Sequence, residues 1–275
     1  MTRSLSAGDF QLDSEDRGPV RLWSWERPSR RNAMQREAWE LLATEAEALA
    51  AEVQDPAQGP RCLVLYGRGG VFAAGADLTE MAEFDAPAAE AFLHAVERLL
   101  AGLERLPILT LAAVEGAALG GGLELALACD LRLASDDAVL GIPAARLGAA
   151  LTHALVRRLA RTAGRAAAAE MLLSGRRVQA AEAVTMGLVQ RLAPHGETLA
   201  AALDWAAAVA ANAPLSVRSI KQGLSSADGG PGGAGAAADT APGDLARFVE
   251  GCLSEDFHEG VAAFLGRRPP RFRGR

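Results

Sequence analysis

Two apolar runs, "CLVLYG" from Cys62 to Gly67 and "ILTLAAVE" from Ile108 to Glu115, each lead within a few residues into a glycine-rich turn and then a helix-like segment. The first continues as "RGGVFAAGADLTEM" and the second as "GAALGGGLELALACD". Short apolar runs of this length read as buried strands, and a strand that feeds a turn and a helix more than once calls for an α/β fold. The same arrangement also constrains chemistry. Glycine lets the backbone approach another group closely, and the first N–H groups of a helix have no partner inside it. Two such turns brought together could aim N–H groups at one oxygen, the form of an oxyanion hole. The alternative is structural: Gly120 to Gly122 could simply let a helix pack tightly on a sheet.

Directly after those glycines stands one carboxylate, Glu124, between Leu123 and Leu125 in an otherwise apolar stretch. Burying a lone carboxylate is costly unless it is paired, protonated or used. At a helix start it could serve only the helix dipole. In a desolvated pocket its pKa would rise toward general acid–base use. In the first turn, Asp77 and Glu80 read as a helix-start signal rather than as a catalytic pair.

The rest of the chain supports one enzyme-sized unit of 275 residues. Val20 to Pro28 reads as a strand, Met34 to Val53 as a helix with apolar residues at helical spacing, and Phe92 to Leu103 as a second helix. Beyond Asp130, "LRLAS" and "AVLGI" read as strands, and "VQAAEAVTMGLV" as a helix stopped at Gly187. Residues 1–18 read as a polar, disordered arm. Residues 19–198 form the core, and 199–275 a helical region interrupted by a Gly/Ala/Pro-rich mobile loop at 225–244.

Other functions find no footing. A formal GxGxxG, Gly230 to Gly235, lies in the low-complexity stretch with no strand before it, and neither a GxxxxGK[ST] nor a GxSxG motif occurs. The net charge of −6 with interspersed signs argues against nucleic acid. No apolar run has the length of a membrane span, and no signal peptide is recognisable at the start. Cys62, Cys129 and Cys252 lack CxxC spacing and read as small hydrophobes of a reducing compartment. The four histidines, His94, His153, His195 and His258, lack metal-ligand spacing and read as surface or packing residues. The expectation is a cytoplasmic protein without a metal.

The pairing of "FAAGADL" with "GAALGGGLELALACD", together with "RRNAM", "GRRVQAAEAVTMGLV" and "SEDFHEGVAAFLGRRPPRFRGR", resembles the crotonase family of enoyl-CoA hydratases and isomerases. The resemblance covers most of the chain from Val20 onward. It implies a spiral of ββα units with a helical C-terminal region that builds trimers or hexamers, and an acyl-CoA substrate with no separate cofactor, coenzyme A being part of the substrate. Carried over by position, it puts the oxyanion donors on the backbone N–H groups of Ala76 and Gly121 and the catalytic carboxylate on Glu124. Ala74, Asp77 and Leu78 would line the substrate, and Arg30 and Arg31 would stand near the CoA phosphates. One position departs. Two-glutamate hydratases carry a second carboxylate where this chain has Ala144, in "LGIPAARLG". Asp136, Asp137, Arg146 and His153 are nearby substitutes, none selected by spacing. The resemblance implies a hydratase acting through a thioester enolate; the alternatives are isomerisation, decarboxylation, or an acyl-CoA-binding protein without catalysis.

Overall fold

A computed structural model describes residues 2–227 and 243–275. The chain opens with three antiparallel strands, β1 (Thr2–Ala7), β2 (Phe10–Arg17) and β3 (Val20–Glu26). The disordered arm read at residues 1–18 is therefore corrected: it is a hairpin docked on the sheet. The reason is alternation. Phe10 and Leu12 are fully buried and Ser14 nearly so, with Gln11 outside and Asp13 at the margin, so a strand with few large apolar residues still places all of them on its inner face. Ion pairs from Arg3 to Glu45 and from Arg68 to Asp13 tie the hairpin to its surroundings.

From β3 onward the chain repeats a coil of strand, short extended segment and helix. Helix α1 (Arg36–Glu52) returns the chain to β4 (Cys62–Gly67). The next coil runs through α2 (Leu78–Met81) and α3 (Ala86–Arg105) to β5 (Leu109–Val114). Then follow β6 (Ala117–Leu119) and α4 (Gly121–Leu127), and after them β7 (Leu131–Ser135) and β8 (Val139–Gly141). Strands β3, β4, β5 and β7 lie parallel in one sheet, while β6 and β8 pair in a second. Isolated bridges Met34–Ala76 and Ala73–Ala118 extend the second layer into the earlier coils. This is the ββα spiral. Helices α5 (Ala144–Leu147), α6 (His153–Ala163) and α7 (Arg165–Ser174) precede β9 (Arg177–Gln179), which pairs with β8. Helix α8 (Ala180–Thr185) then leads to β10 (Arg191–Ala193), which closes the main sheet beside β7.

The central strands β4, β5 and β7 of the main sheet are buried on both faces, which is why they read as continuous apolar runs. In β4, Leu63 and Leu65 join a core with Trp39, Leu42 and Leu99 of α1 and α3, while Cys62 and Val64 face the opposite side. That second face is covered by α9 (Thr198–Ala210), whose Ala202, Ala206 and Ala210 form a small-residue stripe that lets the helix lie close. Burial pushes the thiols of Cys62 and Cys129 up to about 12, which keeps them inert.

The C-terminal region contains α10 (Pro214–Ala227), α11 (Asp244–Leu253) and α12 (Glu255–Leu265). The mobile loop read at 225–244 is corrected at both edges, since 225–227 and 244 are helical; 228–242, with the formal GxGxxG, lie outside the described residues. Lys221, the one lysine of the chain, donates to Ile108 O (2.8 Å) and Asp130 Oδ2 (2.7 Å), tying α10 to the sheet. Among the described residues no single helix is long and apolar enough to cross a membrane.

Candidate active site

The two glycine turns meet. Residues 73–77 run beside residues 117–121, with Ala73 N–H donating to Ala117 O and Leu119 N–H to Ala73 O (both 3.0 Å). On the other side Met34 N–H donates to Gly75 O (2.8 Å) and Asp77 N–H to Met34 O (3.0 Å). The close approach requires glycine at Gly75, whose φ is +104°. A methyl group there would stand 2.7 Å from Leu119 O and 3.2 Å from the nitrogen of Gly121. Gly122 is equally constrained, since a methyl group would lie 2.4 Å from Ala73 O. The tight packing that the sequence allowed as one reading of these glycines is what this contact shows.

What the contact leaves is a pair of free donors. The N–H groups of Ala76 and Gly121 donate to no acceptor among the described residues, and a methyl group on Gly121 would lie 3.6 Å from Ala76 N. Gly121 is the first residue of α4, where helix geometry supplies no acceptor. One turn further, Glu124 is 2 % exposed, and neither carboxylate oxygen has a hydrogen-bond partner among the described residues. Desolvation by burial raises its pKa to about 8; the Arg158 guanidinium opposes that rise, and the carboxylates of Glu97 and Glu104 add to it. Glu124 is thus a buried, unpaired acid poised near neutrality, beside two unpaired backbone donors.

Four residues of this surround escaped the sequence reading. Arg158, buried on α6, holds Glu104 through Nε (3.1 Å) and Glu97 through Nη2 (3.2 Å), and its buried Nη1 has no partner. Thr152 Oγ1 donates to Glu97 Oε1 (3.1 Å). The available signal was the seven-residue spacing of Glu97 and Glu104, which sets both on one face of α3.

The remaining predicted residues divide. Arg31 has φ +51° and accepts from Ala74 N–H through its carbonyl (3.1 Å), so the arginine turn abuts the first glycine turn. Buried Asn32, at φ +59°, anchors that turn by donating to Arg68 O (2.9 Å) and Val71 O (2.6 Å). The Arg30 and Arg31 side chains are exposed and make no ion pair among the described residues. Ala74 is half-buried and Leu78 is 56 % exposed at the start of α2. Asp77 is the helix-start cap that its position suggested. Its Oδ1 accepts from Thr79 N–H (2.9 Å) as a helix cap, and its Oδ2 accepts from Arg27 Nη1 (2.7 Å), so the carboxylate is engaged in holding the turn rather than open to a ligand.

Ala144 begins α5 on an apolar groove of about 430 Å³ bordered by Leu151, Val156, Ala168 and Leu172. Arg146 binds Ser174 O (3.0 Å), Asp137 binds His195 (3.0 Å), and Asp136 and His153 are exposed.

This geometry can be set beside known proteins. A family model described as enoyl-CoA hydratase/isomerase matches residues 19–275. The chain belongs to that family, within the crotonase superfamily. Among its relatives, the 2,3-dehydroadipyl-CoA hydratase of Escherichia coli is 36 % identical over 256 residues, 93 % of this chain and 96 % of that protein. An enoyl-CoA hydratase of Mycobacterium tuberculosis is 34 % identical over 267 residues, 95 % of this chain and 96 % of the relative. The crystal structure of an enoyl-CoA hydratase/carnithine racemase from Magnetospirillum magneticum superimposes with a TM-score of 0.86 at 30 % identity, covering 98 % of this chain and 97 % of that one. The crotonase fold that the family resemblance implied is the fold of the chain.

Proposed function

We propose that this crotonase-family chain acts on an acyl-CoA thioester by moving a proton at the carbon beside the thioester carbonyl. The N–H groups of Ala76 and Gly121 would receive the carbonyl oxygen as it becomes an enolate, and Glu124 would take and return the proton. The observation that carries this reading is the coincidence of two free backbone donors with a buried carboxylate whose oxygens are both unpartnered. Such groups normally find partners in a folded chain, so a ligand that supplies one oxygen and one proton accounts for all of them. The exposed Arg30 and Arg31, next to Ala74, suit the phosphates of coenzyme A. No separate cofactor enters this reading.

The single carboxylate favours proton relocation, as in an isomerase, over hydration. Relocation takes a proton from one carbon and returns it to another, which one acid–base group does in two states. Hydration must also activate a water, and Ala144 has no group for that. Exposed Phe248, Leu253, Phe264 and Leu265 on α11 and α12 support assembly of copies of this chain into a trimer or a pair of trimers.

The test is a panel of saturated, 2-enoyl and 3-enoyl CoA esters with products identified by mass spectrometry. Double-bond migration or α-proton exchange, lost in Glu124→Gln while ester binding persists, supports the reading. Binding without turnover of any ester refutes it.

A further inference from the structure

At the opposite end of β5 from its entry, the chain gathers three side chains that its sequence keeps far apart. Glu115, which follows β5, is 2 % exposed, and its Oε1 lies 3.1 Å from His195 Nδ1. Asp137, in the turn between β7 and β8, brings Oδ2 to 3.0 Å from the same nitrogen. These three ligand atoms lie within 4.8 Å of one another. His195, read from the sequence as a surface or packing residue, is thus the meeting point of two carboxylates.

The cluster holds more acceptor capacity than the protein satisfies. Gly196 N–H donates to Glu115 Oε1 (3.0 Å), but Glu115 Oε2 is buried and has no donor among the described residues. A neutral imidazole presenting its lone pair at Nδ1 would face two carboxylates with nothing between them. A protonated Nδ1 offers one hydrogen to two oxygens at nearly equal distance. A divalent ion satisfies all three atoms at once, and the separations of 3.0 and 3.1 Å from Nδ1 to the two carboxylate oxygens match the edge of an octahedron around an ion with bonds of about 2.1–2.2 Å to nitrogen and oxygen. One imidazole with two carboxylates is a borderline donor set that suits zinc and its first-row neighbours better than the oxygen-only preference of calcium or magnesium.

We infer that Glu115, Asp137 and His195 form a binding site for a divalent transition ion of the zinc class. None of the three belongs to the Glu124 site, so the inference stands apart from the proposed function. The ion would be structural. It would clasp the turn carrying His195, which leads into α9, to the end of β5 and to the β7–β8 turn, with Gly196 and Ser135 already bonded to the same strand end. Metal binding must displace the proton from Nδ1, so it releases protons and weakens toward acid pH.

The test uses the full chain stripped of metal with a chelator and then titrated with zinc in competition with a chromophoric chelator, alongside Asp137→Asn and His195→Gln. Asp137 and His195 are both more than half exposed, so neither substitution disturbs the core. The expected result is one zinc per chain, a melting temperature raised by zinc, and affinity weakened by about 10- to 100-fold or more in each variant. Zinc binding of equal affinity in both variants would overturn the inference, because the ion would then sit elsewhere. Failure of the wild-type chain to bind zinc would overturn it as well, leaving an imidazolium as the cation between the two carboxylates.

Discussion

Replacing Glu124 by glutamine removes one ionisation from the site and nearly nothing else, because neither carboxylate oxygen has a hydrogen bond to lose among the described residues. In the folded chain the group gives up its proton at about pH 8, against an ordinary value of 4.5. The folded state therefore binds more protons than the unfolded state throughout that interval, and stability must fall as pH rises through it. The contribution is fully retained below the unfolded value and fully lost above the folded one. At about 1.4 kcal/mol per pH unit, the loss reaches about 3 kcal/mol by pH 7 and about 5 kcal/mol above pH 8. Glu124→Gln carries no such penalty, so its stability relative to wild type should climb by that amount between acid and alkaline conditions. Urea unfolding of both proteins at one fixed concentration, repeated across the interval, measures the difference and cancels every other titrating group. Parallel curves would refute the reasoning, since they would mean that Glu124 ionises in the folded chain much as it does in the unfolded one.

Further expectations follow from the same contacts. Gly122→Ala puts a methyl group 2.4 Å from Ala73 O; it should destabilise the chain by about 1–3 kcal/mol in chemical denaturation and spread the two turns, lowering turnover while circular dichroism stays native-like. Ala144→Glu restores the carboxylate found in two-glutamate hydratases and should raise crotonyl-CoA hydration by about 100-fold or more, read by loss of the enoyl absorbance. Light scattering at micromolar concentration should give the mass of a trimer or hexamer, and charged substitutions at Phe248 and Phe264 together should shift it toward the monomer.

How much of this was legible in the sequence depends on how local each feature is. Strand, turn, glycines and Glu124 lie within a few residues of one another, so the second turn could be read directly, and Asp77 announced itself as a cap through its position before Thr79 and Glu80. Its partner Arg27 could not be read, because the ion pair joins positions 50 apart. The same is true of the charges that modulate the Glu124 pKa beside its desolvation: Arg158 lies 61 residues from Glu97 and belongs to a helix that packs there only once the spiral has closed. The first hairpin was missed for another reason. Phe10 and Leu12 are too few for a convincing apolar run, and only their alternation with Gln11 and Asp13 marks a strand. His195 looked solitary because its partners sit on two other coils.

The central claim, that two backbone donors and one carboxylate move a proton through an enolate, is tested most directly by hydrogen exchange. The wild-type chain is incubated with a saturated acyl-CoA in deuterated water, and deuterium at the α-carbon is followed by mass spectrometry beside the hydration of crotonyl-CoA. The account predicts exchange faster than hydration, rising with pH through about 8, where Glu124 is half ionised, toward a plateau at higher pH. It also predicts that Glu124→Gln abolishes exchange but binds the ester almost as tightly, because the donors of Ala76 and Gly121 belong to the backbone. Exchange that survives in Glu124→Gln, or its absence in a wild-type chain that binds the ester, would contradict the account.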